Sequence, residues 1–171
     1  MTRGLLNQIG NFVFFMALQV LFLRNVVLFD YAFVFVYVGF LLFIPFEISA
    51  LLLLVIAFFS GLVVDIFYDS LGIHTASFVF LAFIRPYWIN SITPRGGYKQ
   101  GAVPNIVSQG LQWYILYALP LIFVHHLTLF MIEKGNFSLF YLTLLKAFSS
   151  SIFTFILLVV FQYLFKQERR L

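Results

Sequence analysis

Apolar residues run along this chain in long stretches separated by short polar corners, and the pattern lays out six of them. The first, 5–23, ends at the polar pair Arg24 and Asn25. A second, VVLFDYAFVFVYVGFLLFI at 26–44, has Asp30 near its start and Pro45 and Glu47 just beyond its end. The third, 48–64, leads to Asp65, and the fourth, 72–89, is interrupted by Arg85 and Pro86 before Tyr87 and Trp88. A Gly/Pro-rich polar loop, NSITPRGGYKQGAVPN, then precedes a fifth run at 109–131 and a sixth at 140–165. About 20 apolar residues suffice for one helical crossing of a bilayer, and strict alternation into ten-residue strands, the mark of a membrane barrel, is absent. The pattern predicts one integral membrane domain over 1–171: an all-α, polytopic transmembrane helical bundle of about six spans.

Local features refine the picture. Before Arg85 the fourth run reaches only roughly 20 Å at 1.5 Å per residue, so either the helix continues with Arg85 snorkelling or the span is short. Pro120 predicts a bend in the fifth run, because proline removes an internal hydrogen bond. The sixth run is long enough to predict tilt.

Composition narrows the class further. The chain is 63% hydrophobic and only 9% charged, too few polar side chains to cover a soluble core. With no cysteine, disulfides, thiol catalysis and thiolate metal sites are excluded. The formal net charge of +4 does not form a nucleic-acid patch, since the basic residues are scattered at the ends of apolar runs. Packing against helices and lipid accounts for the 25 phenylalanines without any base-stacking role. The N-terminal segment has the short basic head of a signal peptide but no small-x-small cleavage site, and is read as an uncleaved first helix.

Six spans place both termini on one side. On that side fall Arg3, Arg85, Arg95, Lys99, Lys166, Arg169 and Arg170, against Arg24 and Lys134 on the other. The positive-inside rule then predicts cytoplasmic termini, with the loop of Arg95 and Lys99 beside them. The turns at Asp30, at 65–71 and at 133–136 fall outside.

The polar residues of FFSGLVVDIFYDSLGIHTASFVF, residues 58–80, are the most concentrated candidate chemistry. Gly61 and Asp65 are four apart and share one helical face, where glycine lets a neighbouring backbone approach and the carboxylate can pair with a base or accept backbone hydrogen bonds; with Asp69, Gly72 and His74 they read as hairpin packing or as contact with a partner protein. Asp69 is four residues further on, while Gly72 predicts that the chain turns there. Asp65, Asp69 and His74 match no defined metal motif, and His74 reads as an interfacial side chain or as the hairpin's first-turn partner. His125 and His126 point in different directions on a helix and cannot share a metal as an i, i+4 pair would. Arg85 and Lys146 lie inside apolar runs, where charge is buried in the bundle, snorkelled or paired. Arg95 and Lys99 offer contacts to lipid head groups or a cytoplasmic protein. No nucleophile elbow, P-loop, dinucleotide-binding glycine pattern or HExxH occurs, so neither enzymatic activity nor a cofactor or metal is expected.

The chain resembles the rod shape-determining protein MreD family. The resemblance rests on length, on an N-terminal apolar helix ending in RN, and on GLVVDIFYDSLGIHTASFVFLAFIRP, where Gly61, Asp65 and Gly72 fit the family's glycine, aspartate and later glycine. Tyr68, Asp69 and Ser70 depart from it, because small residues or proline are common there. The resemblance implies a non-enzymatic component of the bacterial elongation machinery in the cytoplasmic (inner) membrane. Its partners would be an MreC-like bitopic protein and, in a wider complex, MreB-like, RodA-like and penicillin-binding proteins, with membrane lipids around it and no nucleic acid. It also implies a fold like that of the substrate-binding subunits of energy-coupling-factor transporters, which keeps small-molecule binding as an alternative.

Overall fold

A computed structural model describes residues 2–29, 31–136 and 139–165, with side chains from residue 6 onward. Asp30, the side chain of Arg3, and Lys166, Arg169 and Arg170 lie outside the described residues. Helix α1 (Thr2–Ala17) runs on into a π-helical turn (Leu18–Leu23), and a small antiparallel hairpin follows, β1 (Val27–Leu28) and β2 (Ala32–Phe33). Next come a short α2 (Val38–Leu42), α3 (Ala50–Tyr68), α4 (Ile73–Ser91), a single turn α5 (Ile106–Gln109), α6 (Leu111–Lys134) and α7 (Phe140–Leu164).

Four segments are long and apolar enough to cross a membrane: Leu6–Leu23, Ala50–Tyr68, Leu111–Lys134 and Phe140–Leu164. The chain is a multi-pass membrane protein built as a helical bundle. α4 matches α3 in length at 19 residues, but Arg85 and Pro86 lower its apolar character. It continues unbroken past both residues to Ser91. Pro120 likewise lies inside α6 without ending it.

The second predicted span does not form as a continuous helix, which corrects the reading of 26–44. Its first part is the β-hairpin, 34–37 is irregular, and only five residues are α-helical. Residues 34–44 nevertheless lie inside the bundle and are buried throughout. The physical reason is twofold. Valine, phenylalanine and tyrosine crowd this stretch, and all favour extended backbone over helix. Non-helical backbone at membrane depth also survives only where protein surrounds it and satisfies its polar groups.

That satisfaction comes from side chains on the π-helical turn, α4, α6 and α7. Phe33 N donates to Ser150 Oγ at 2.9 Å, and Phe35 N to Thr154 Oγ1 at 3.1 Å, two residues one turn apart on α7. Gln19 Nε2, in the π-helical turn, donates to the Val34 carbonyl at 2.9 Å. The Tyr117 hydroxyl donates to the Leu42 carbonyl at 2.9 Å, and the Arg85 guanidinium donates to the Ile44 carbonyl. Three tight-turn bonds, Val38 N to Phe35 O, Gly39 N to Val36 O and Phe40 N to Tyr37 O, complete the centre. Gly39 packs closely here: a Cβ would lie 2.6 Å from Leu158 Cδ2 and 2.9 Å from Phe15 Cε1, so those side chains would have to shift to admit one.

Contacts define two ends of the bundle. At one, Gln19 Nε2 donates to the Tyr68 hydroxyl at 2.6 Å and Arg24 faces Asp69 at 3.8 Å. At the other, Phe46 N donates to the Ala102 carbonyl, Gly101 N to Glu47 Oε1, and Phe46 stacks on Tyr98 with centroids 3.9 Å apart. Ile106 N donates there to Gln162 Oε1 at 2.8 Å. The polar loop is thus docked onto the bundle while Arg95 and Lys99 stay exposed.

Candidate functional site

The site begins with the turn between α3 and α4. Asp69 ends α3 in the left-handed conformation at φ 52°, which aspartate tolerates better than most residues, and Gly72 opens α4 at φ 84°. Gly72 occupies the N-cap position, where it has no side chain to accept from the free N–H groups of the first helical turn. Asp65 supplies the missing acceptor from the preceding helix. Its Oδ1 accepts from His74 N at 3.0 Å, and its Oδ2 from Thr75 N at 2.9 Å. Those are the second and third helical N–H groups, the pair that a serine or aspartate N-cap ordinarily serves. Hydroxyls of Ser70 and Thr75 donate to the same carboxylate, one to each oxygen.

Only 3% exposed, Asp65 thus meets four donors and the positive end of the α4 dipole. One turn earlier, Gly61 lets α4 come this close, because a Cβ would stand 2.5 Å from Thr75 Cα. The Gly-x-x-x-Asp spacing is therefore a single device: glycine admits the first turn of α4, and aspartate caps it.

The structure separates the two carboxylates of the motif. Asp69 is exposed and, among the described residues, its carboxylate makes only the loose contact to Arg24, whereas Asp65 is enclosed. His74, expected at the interface or in the first turn of the hairpin, is in that turn but buried. Its Nδ1 lies 2.9 Å from the Tyr37 hydroxyl, which lies 2.9 Å from His125 Nε2. His125 and His126 have their Nδ1 atoms 3.4 Å apart and their Nε2 atoms on different partners, Tyr37 and Thr154.

Partners fix one consistent set of proton positions along this chain of groups. His126 Nδ1 lies 2.8 Å from the Ile122 carbonyl, so it carries the proton, and Nε2 accepts from Thr154. His125 Nδ1 faces that protonated nitrogen and is bare, so its Nε2–H donates to Tyr37. The Tyr37 hydroxyl then donates to His74. All three rings are neutral in this arrangement, and the network ties the irregular segment to α4, α6 and α7. Among the described residues, no three His, Cys, Asp or Glu side chains gather to hold a metal.

The two cations inside apolar runs meet different partners. Arg85, 1% exposed, does not snorkel; its Nε donates to the Tyr117 hydroxyl at 2.8 Å and its Nη2 to the Ile44 carbonyl. No carboxylate pairs with it among the described residues. Lys146 lies 3.2 Å from Glu133 Oε2, with the rings of Phe33 and Phe130 at 4.3 and 4.2 Å.

The sequence pattern did not single out Thr75, Tyr37, Gln19, Tyr117, Ser150 or Thr154, and marked Ser70 only as a departure from the family pattern. A signal was present for Ser150 and Thr154, small polar residues at i, i+4 on one face of an otherwise apolar helix. In comparisons with protein-family models, curated proteins and solved structures, no match to this chain is found.

Proposed function

We propose that the chain is a non-enzymatic component of the bacterial cell-elongation complex, supporting rod shape and lateral peptidoglycan synthesis through protein contacts in the cytoplasmic (inner) membrane. The observation that carries this reading is the α3–α4 hairpin. Gly61, Asp65 and Gly72, the residues on which the resemblance to the MreD family rests, act together to hold its turn in one shape. Because the Asp65 carboxylate is enclosed and occupied by four donors, contact with an MreC-like bitopic partner falls to the projecting turn instead. Leu71 is fully exposed there, beside exposed Asp69. MreB-like, RodA-like and penicillin-binding proteins belong to the wider assembly.

The proposed topology keeps six crossings, the second of them the irregular segment 33–44. It starts beside Ser150 and Thr154 and finishes beside Arg85 and the docked loop, so it traverses the bundle between the two ends. The exposed cations Arg95 and Lys99 then face the cytoplasm with the termini, and the α3–α4 turn faces outward.

Depletion in the native bacterium is expected to round the cells, and re-expression of the wild-type chain to restore rods. Re-expressed Leu71→Ser should accumulate normally yet restore shape poorly and co-purify less of the bitopic partner. Depleted cells that stay rod-shaped but lose uptake of a nutrient would overturn this reading in favour of a transporter binding subunit.

A further inference from the structure

A cleft of about 360 Å³ opens where β2, the end of α6 and the start of α7 meet, away from the Asp65 cap. Tyr31, Phe33 and Phe130 give it aromatic walls, and Lys146, Lys134 and Glu133 give it charge. From this geometry we infer that the cleft binds the phosphate of an anionic phospholipid head group. Among the described residues of its lining, two cations stand against one carboxylate, an excess of one positive charge. Lys134 has no ion pair among the described residues. Lys146 has three N–H donors and, among the described residues, makes one hydrogen bond, to Glu133. Its ammonium lies over the two rings and the side chain as a whole is only 26% exposed, so its charge is partly shielded from solvent.

Position selects a lipid over a dissolved anion. The cleft lies at the ends of two membrane-crossing helices, the depth of the head groups. Leu142 borders the cleft, and the exposed apolar side chains of Leu145 and Phe148 continue from it along α7. Acyl chains can lie along that surface while the phosphate meets Lys146 and Lys134. In this site Glu133 acts as a competing anion that the phosphate displaces from Lys146.

The test is lipid binding by the purified full-length protein, read by native mass spectrometry or fluorescence. The probes are short-chain phosphatidylglycerol, short-chain phosphatidylcholine and glycerol phosphate. Phosphatidylglycerol should bind at least about fivefold more tightly than phosphatidylcholine, and glycerol phosphate weakly. Lys146→Met should erase the preference, and Lys134→Met should reduce it. Glu133→Gln should strengthen phosphatidylglycerol binding, which keeps the test decisive if Lys146→Met fails to fold. Equal binding of the two lipids, or a preference indifferent to Lys134→Met and Glu133→Gln, would overturn the proposal. Tight binding of glycerol phosphate would assign the cleft to a soluble phosphate compound and overturn the lipid.

Discussion

Asp65→Ala is expected to lower thermal stability more than any other single substitution in the α3–α4 hairpin, and with it accumulation in the membrane. Alanine leaves two backbone N–H groups and two hydroxyls without their acceptor in a place water scarcely reaches. Hydrogen bonds to a charged group contribute about 1.5–3 kcal/mol each and do not add fully, so the loss should be about 3 kcal/mol or more. Asp65→Asn keeps one carbonyl acceptor of the two oxygens and should fall between alanine and wild type. Thermal melting in detergent, followed by circular dichroism, measures the series. An alanine variant melting with the wild type would mean that the cap does not hold the hairpin.

Arg85→Met tests the other end of the bundle. Methionine has similar reach but no donor, so the Ile44 carbonyl loses its side-chain partner and Tyr117 loses one of its two. An unsatisfied buried acceptor costs about 1–3 kcal/mol, and a net destabilisation of about 2 kcal/mol is expected. Removal of a buried charge works in the opposite direction, because a guanidinium without a carboxylate partner is held in the interior at a desolvation cost. Arg85→Gln can still donate to Ile44 and should lose only about 1 kcal/mol, on the scale of one ordinary hydrogen bond. The change should be local, with faster amide exchange around residues 42–46 and little change in α7. If Arg85→Met raised the melting temperature, the desolvation cost would exceed the value of the bond, and Arg85 could not be what anchors this segment.

Much of the bundle could be read from the apolar runs alone. The predicted spans at 48–64, 109–131 and 140–165 correspond to α3, α6 and α7, with α3 running four residues further to Tyr68. Gly61 and Asp65 were legible as partners because i, i+4 spacing puts them on one face. Their exact use was not, since the carboxylate serves N–H groups 9 and 10 residues later, across a turn whose geometry depends on Asp69 and Gly72. Residues 26–44 show the limit more sharply. A continuous apolar run has the same signature whether it is a buried helix or a buried extended segment, and here β-branched and aromatic residues were the only local hint. What decides the conformation lies elsewhere in the sequence, in Gln19, Arg85, Tyr117, Ser150 and Thr154, none of them within ten residues of its partner.

Several of the buried polar side chains in this apolar chain thus share one task, holding the irregular segment. Ser150 and Thr154 accept from one end of the irregular segment, Arg85 and Tyr117 donate to the other, and Tyr37 anchors its middle between two histidines. Backbone chemical shifts of residues 26–44, measured by NMR on the protein in lipid, test this most directly. Extended values at 32–33, no helical run through 34–35, and helical values confined to about 37–42 are predicted. Uninterrupted helical shifts from 26 to 44 would contradict it.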